Sequence, residues 1–179
     1  MTIINNKRPK LIFLLILICL SIVNLLLNLD AIIQSNNAAI IESGIDFNSN
    51  RSFFLFVSIG IIAMNMLLIV AFDSFLLFIL TKLIIKKTLR VKEFVLPVIL
   101  SNILGLVVGI IFNHFFIERL FKNYFLYALI SPVTPAKALA IFFLCKEFCD
   151  WDGIKKPIFL CVAYSLFGYI ASSLLYVFT

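Results

Sequence analysis

Residues 53–84 read FFLFVSIGIIAMNMLLIVAFDSFLLFILTKLI, an apolar stretch that carries charge only at Asp73 and Lys82. As an α-helix rising ~1.5 Å per residue, the 32 residues of this stretch would extend ~48 Å, against a hydrocarbon core of ~30 Å. The stretch therefore predicts a transmembrane helix that is tilted or that extends beyond the membrane.

Four further apolar stretches flank this one, and short charged clusters separate them. They cover residues 11–33, 93–116, 124–148 and 157–178. The whole chain is 63% hydrophobic and 13% charged, which is far more apolar than a soluble domain. We predict an all-α fold, with one transmembrane domain over residues 1–179 that forms a polytopic bundle of five spans.

The first stretch follows Lys7, Arg8 and Lys10, which is also how a cleaved signal peptide begins. The apolar run is long, however, and no small-x-small cleavage site follows it closely. We therefore expect a retained first helix. The Asn- and Ser-rich segment 34–51 then predicts a loop.

The fourth stretch is interrupted by Pro132, Pro135 and Lys137. These residues fit either a continuous span or a broken, re-entrant helix, and both interpretations stay open. The fifth stretch begins at Pro157, and proline is tolerated in the first turn of a helix.

The distribution of Lys and Arg predicts the orientation of the bundle. With the N-terminus in the cytoplasm, three basic residues lie outside: Arg51, Arg119 and Lys122. Eleven lie on the cytoplasmic side: Lys7, Arg8, Lys10, Lys82, Lys86, Lys87, Arg90, Lys92, Lys146, Lys155 and Lys156. This excess predicts a cytoplasmic N-terminus and an external C-terminus. The net charge of +6 is then a matter of topology, and we expect no nucleic-acid partner.

Two ionisable residues, Asp73 and Lys137, lie at membrane depth, where a charge costs at least ~2.5 kcal/mol. With ~1.5 Å per residue, they lie ~10 Å and ~12 Å from the cytoplasmic ends of their helices. These matching depths predict an interhelical ion pair. It would serve either as an internal staple, which we favour, or as a gate, proton site or substrate counter-ion.

Ser58 and Asn65 precede Asp73 on the second helix at spacings of seven and eight residues. We expect this polar stripe to face protein or water rather than lipid, because hydrocarbon cannot satisfy its hydrogen bonds. With Asp73 and Lys137, the two residues make up a candidate intramembrane polar site.

The third helix carries Ser101, Gly105 and Gly109 at four-residue spacing. Such a small-residue face allows another helix to approach closely. It predicts helix packing, either within the bundle or against the helix of a partner subunit.

The pattern of reactive residues argues against an enzyme. A second carboxylate at the depth of Asp73 is missing, and His114 is the only histidine, so aspartyl and zinc chemistry are both disfavoured. A Ser131 and Lys137 nucleophile pair would need a contact that their spacing does not ensure. No phosphate-binding glycine loop is present. We expect no catalytic residues, no metal and no cofactor.

The run from Leu67 to Phe112 resembles the central part of the Ypt-interacting-protein (Yip) domain family, bacterial branch. It has a polar-studded helix, a basic turn and the lead-in LRVKEFVLP at residues 89–97, whose proline enters the next span. The part from Leu129 through the charged turn at 150–156 to the last helix is similar in layout. Lys86 and Lys87 stand where the family commonly has a glycine-containing turn.

The resemblance implies a non-enzymatic, five-helix membrane protein that acts through membrane partners. The leading hypothesis is an accessory or assembly subunit of an ABC-type transporter, or an immunity protein against a toxic peptide. The alternative is a small membrane transporter or substrate-binding subunit with its site around Asp73 and Lys137. The expected partners are the lipid bilayer and other membrane subunits. The expected location is the plasma membrane of a bacterium.

Overall fold

The computed structural model describes residues 7–35, 51–87, 89–120, 131–148 and 153–177. Every regular element in these ranges is a helix, so the predicted all-α class is confirmed. The five helices are α1 (Lys7–Ser35), α2 (Arg51–Leu80), α3 (Val91–Leu120), α4 (Val133–Phe148) and α5 (Lys155–Val177).

Three of these helices are long and apolar enough to cross a membrane. Their candidate spans are Arg8–Leu27 in α1, Leu55–Ile85 in α2 with the turn that follows it, and Val91–Asn113 in α3. The chain therefore has the character of a membrane protein, with at least these three helices suited to hydrocarbon.

Consecutive helices run antiparallel, and α3 lies at the centre of the bundle. It packs against α1, α2 and α4, while α5 packs against α4, α2 and the turn that ends α2. The Lys10 ammonium donates a hydrogen bond to the Lys92 carbonyl (2.8 Å), which ties together the starts of α1 and α3. The starts of α1, α3 and α5 and the end of α2 therefore gather at one end of the bundle.

A π-helical turn, Thr81–Ile85, ends α2. The backbone N–H of Lys86 closes it by donating to the Thr81 carbonyl (3.1 Å), and Lys86 has the left-handed φ of 61°. This is the conformation that a glycine usually supplies at the end of a helix. The turn that lacks the expected glycine therefore places a lysine in a glycine-like backbone position.

Both ends of α3 differ from the sequence prediction. The helix begins at Val91, so most of the segment 89–97 belongs to the first turns of α3, and Pro97 is buried inside the helix. A half capping box explains the early start, because the Glu93 carboxylate accepts a hydrogen bond from the Arg90 backbone N–H (3.2 Å). At its other end α3 continues to Leu120, four residues beyond the predicted stretch 93–116.

Helix α4 begins at Val133, later than the predicted span 124–148. The first helical hydrogen bond runs from the Ala136 N–H to the Pro132 carbonyl (2.9 Å), so Pro135 falls in the first turn, where no N–H is needed. Its 16 residues extend ~24 Å, which is less than a hydrocarbon core of ~30 Å. Residues 124–130 of the predicted span lie outside the described part of the chain.

The core lies toward the end of the bundle where α2 finishes and α3 begins. Among the largest buried side chains are Leu77, Phe94, Ile99, Ile141 and Leu160, one from α2, two from α3, and one each from α4 and α5. In the first part of α2, by contrast, none of the described side chains between 52 and 69 is buried. Among the described side chains, packing is therefore concentrated at this end of the bundle.

Candidate functional site

The two charged residues that the sequence predicts at membrane depth contact each other. Lys137 Nζ on α4 lies 3.2 Å from Asp73 Oδ2 on α2, and the side chains are only 20% and 12% exposed, respectively. Charges in a low-dielectric interior attract strongly, but each has also lost its hydration. Such a pair persists only when further polar groups surround it.

Two residues that the sequence analysis did not select supply those groups. Asn102 on α3 donates from Nδ2 to Asp73 Oδ2 (3.4 Å) and to the Val98 carbonyl (2.9 Å). Tyr164 on α5 is buried, and its hydroxyl lies close to the Asp73 carboxylate. We call Asp73, Asn102, Lys137 and Tyr164 the polar cluster. It takes one residue from each of α2 to α5 and links these four helices.

The small-residue face of α3 packs against α4 and makes room for the lysine of the cluster. A Cβ added at Gly105 would lie 2.6 Å from Lys137 Cγ, and one at Gly109 would lie 3.3 Å from Val133 Cγ2. Ser101 is buried, and its hydroxyl donates to the Val98 carbonyl (2.9 Å). This face therefore serves packing within the bundle, and Gly105 allows the aliphatic part of Lys137 to pass close to the backbone of α3.

The predicted polar stripe does not stay on one face of α2. Asp73 is buried, whereas Asn65 is exposed and Ser58 is only partly buried. A spacing of eight residues turns a helix by about 80° beyond two full turns, which is enough to move Asn65 out of the packed face. Neither Ser58 nor Asn65 belongs to the polar cluster. Asn65 is exposed on the surface of this chain, so the expectation that it faces protein or water stays a prediction.

A cleft of about 230 Å³ lies between α1, α2, α3 and α4 and reaches the polar cluster. Its polar lining comes from Asn24, Asn102, Asn113 and Lys137, beside Gly105 and Leu106. A water molecule occupies ~30 Å³ in the liquid, so the cleft has room for several waters or a small polar solute. It is smaller than most ligand pockets, which measure ~300–1,000 Å³.

Ser131, the candidate nucleophile, has a structural contact. It is buried, and its hydroxyl accepts a hydrogen bond from the Val133 N–H (3.4 Å) at the start of α4. This is the capping role that serine commonly has at helix N-termini. Among the described residues, no three His, Cys, Asp or Glu side chains group as a metal site.

The sequence contained a usable signal for Asn102 but none for Tyr164. Asn102 precedes Gly105 by three residues, so both lie on the face of α3 that was predicted to pack closely. An amide on such a face of a membrane helix needs a partner, which could have pointed to Asp73 or Lys137. Tyr164 has no comparable neighbour in sequence, and only the packing of α5 brings it to the cluster.

No protein-family model, curated protein or solved structure matches the chain. Function is therefore inferred from the residues and their arrangement.

Proposed function

We propose that this chain is a non-enzymatic integral membrane protein. It binds the helix of another membrane subunit through the first part of α2, residues 52–69. The observation that supports the proposal most directly is the exposure of the Asn65 side chain. This side chain lies on a part of α2 in which no described side chain is buried, and among the described residues no hydrogen-bond partner is seen for its amide.

The surroundings of Asn65 favour a partner helix over lipid alone. One turn before it and one and two turns after it, Ile61, Leu68 and Phe72 are exposed on the same face. Hydrocarbon offers an amide no hydrogen-bond partner, whereas a polar side chain on a second helix does. An apolar stripe with a single amide near its middle is thus suited to helix association in which the amide sets the register.

We place five spans in the bilayer, with the N-terminus in the cytoplasm and the C-terminus outside. The Lys10 to Lys92 hydrogen bond supports this orientation, because it joins two of the basic clusters at one end of the bundle. Helix α5, which begins at Lys155, also contacts the turn Thr81–Ile85 that precedes Lys86. The basic clusters therefore share one side, as the positive-inside rule requires of the cytoplasmic face.

The resemblance to Yip-domain proteins guides the choice of partner. It favours an accessory or assembly subunit of an ABC-type transporter, or a protein that confers immunity to a membrane-active peptide, in a bacterial plasma membrane. In both cases the chain works by contact with other membrane subunits, and no catalytic residue is required of it.

The test is affinity purification of the tagged chain from its native membrane, with mass spectrometry of the proteins that are recovered. We expect an ATPase and a permease in stoichiometric amounts with the natural chain, and a loss of both with Asn65→Leu. Met64→Leu, at an exposed neighbouring position, is the matched control. Recovery of the chain alone, together with unchanged sensitivity to toxic peptides after deletion, would refute the proposal.

A second candidate, binding or transport of a small polar solute, is favoured by the cleft beside Lys137. The amides of Asn24, Asn102 and Asn113 make part of its wall polar. Leu106→Phe would fill part of the cleft without changing any charge, and it complements Asp73→Asn and Lys137→Met. If uptake or binding is unchanged in all three variants, the solute hypothesis fails.

A further inference from the structure

A second, larger cavity opens between α1, α2 and α3, apart from the polar cluster. Its volume is about 830 Å³, within the range of ~300–1,000 Å³ that is typical of ligand sites. We call it the α1–α3 groove. Leu14, Val70, Phe75, Val95 and Ile99 form much of its wall.

The wall of the groove selects for an apolar occupant. Away from the basic end, the only side chain in the lining with a hydrogen-bonding group is Ser74, and its hydroxyl already donates to the Val70 carbonyl (2.6 Å). A polar solute would lose its hydration here without gaining hydrogen bonds in return. A hydrocarbon chain loses nothing in the same place.

One end of the groove is basic, because Arg8 and Lys10 belong to its lining. The hydrogen bond from Lys10 to the Lys92 carbonyl (2.8 Å) holds the ammonium at the start of α3 and leaves two of its three N–H donors for a ligand. Lys92 adds a further positive charge close to Lys10, and within the described part of the chain Glu93 is the carboxylate that acts on Lys10. Among the described residues Arg8, Lys10 and Lys92 outnumber this carboxylate, which also accepts a hydrogen bond from the Arg90 backbone N–H, so the net charge of this end is positive.

The basic end and the apolar wall follow one another along the helix axes. From Val91 to Ile99 the wall extends ~12 Å from the start of α3 into the apolar part of the bundle. This order, positive charge and then hydrocarbon, matches an anionic phospholipid that enters from the leaflet at the basic end. Anionic headgroups are concentrated in the cytoplasmic leaflet, where the proposed orientation places this end.

We propose that the α1–α3 groove is a specific site for an anionic phospholipid. One acyl chain lies along Val70, Phe75 and Val95, and the phosphate contacts Lys10 and Arg8. The site is independent of the partner proposed for Asn65, because Asn65 does not line the groove.

Native mass spectrometry of the detergent-purified chain tests the site. The chain is mixed with equimolar phosphatidylglycerol and phosphatidylcholine that carry the same acyl chains. We expect one phosphatidylglycerol to be retained in preference, and this preference to fall about tenfold or more in the double variant Arg8→Gln/Lys10→Gln. Lys155→Gln/Lys156→Gln removes two exposed lysines at the same end of the bundle but outside the groove, and it should leave the preference unchanged.

A second variant tests the apolar part of the groove without altering charge. Ala71 lines the groove, so Ala71→Phe should abolish retention of phosphatidylglycerol. Leu166→Phe, on the exposed surface of α5 outside the groove, is the matched control.

Four results would overturn the proposal. The first is equal retention of the two lipids, and the second is an equal loss of preference in the two charge variants. The third is displacement of the lipid by millimolar inorganic phosphate. The fourth is a lipid-free dimer that dissociates in the variant Ala71→Phe. The third would identify a site for free anions, and the fourth a groove that is occupied by a second copy of the chain.

Discussion

The two halves of α2 share a helix and a composition but have different surroundings. From Val70 onward α2 contributes Asp73, Leu77 and Leu80 to the packed interior, whereas none of the described side chains from 52 to 69 is buried. Both halves are apolar on every side, so neither shows the one-sided pattern by which a soluble helix reveals its buried face.

The difference shows how packing is specified when the surrounding solvent is hydrocarbon. Apolar side chains gain little by moving from lipid to protein, so they do not determine which face packs. Polar and small residues do. The packed half of α2 contains Asp73, which binds Lys137 and Asn102, and the exposed half contains Asn65, for which the described part of the chain supplies no such partner.

The largest loss of stability is expected when the ion pair in the packed half of α2 is broken. Lys137→Met should lower the free energy of unfolding by ~3–5 kcal/mol, because it leaves the Asp73 carboxylate buried without its cation. Thermal unfolding in detergent measures the effect. Asp73→Leu combined with Lys137→Met should recover most of the loss, since no unpaired charge then remains. Asn65→Leu in the exposed half should leave the melting temperature nearly unchanged, and an equal loss there would contradict the comparison.

A pair of glycine substitutions tests the difference in packing. Gly105→Val should destabilise by ~1–3 kcal/mol, because its Cβ would lie 2.6 Å from Lys137 Cγ, close to the backbone of α4, where the lysine has little freedom to move. Gly60→Val on α2 meets nothing within 4 Å and should change stability little. Melting temperatures of the two variants in the same detergent give the result. If both fall equally, steric contact between α3 and α4 is not the cause.

The third expected effect concerns the amide of the polar cluster. Asn102→Leu removes hydrogen bonds to Asp73 and to the Val98 carbonyl, and should cost ~0.6–1.7 kcal/mol, the usual size for such bonds in membrane proteins. Chemical unfolding of Asn102→Leu beside Asn65→Leu measures the difference. No loss in Asn102→Leu would mean that Lys137 and Tyr164 suffice to hold the carboxylate.

The smallest effect has the opposite sign and lies at the packed end of α2. The Thr81 hydroxyl is buried, and within the described residues it has no hydrogen-bond partner. Thr81→Val should therefore raise the free energy of unfolding by up to ~1 kcal/mol. The melting temperature should rise slightly, while Thr81→Ser, which keeps the hydroxyl, should not raise it. A fall with Thr81→Val would show that the hydroxyl is bonded after all.

Parts of the candidate site could be predicted because charge inside a membrane is costly. That cost singled out Asp73 and Lys137, and their similar depths indicated the contact that the structure contains. The small-residue spacing likewise indicated close packing at Gly105. The exposure of Asn65, the start of α4 at Val133 and the place of Tyr164 depend on helix rotation and on local caps, which an apolar pattern does not encode.

By itself, the sequence determined the all-helical class and the suitability of at least three helices for hydrocarbon, because both follow from apolar length and composition. Tertiary structure decided which helices meet. It joined Asp73, Asn102, Lys137 and Tyr164 into one cluster, and it left an open groove beside Lys10. The physical reason is that hydrocarbon surrounds a membrane-spanning helix with the same apolar medium on every side. Rotation and pairing are then settled by a few polar contacts and close approaches, whose geometry exists only in the folded bundle.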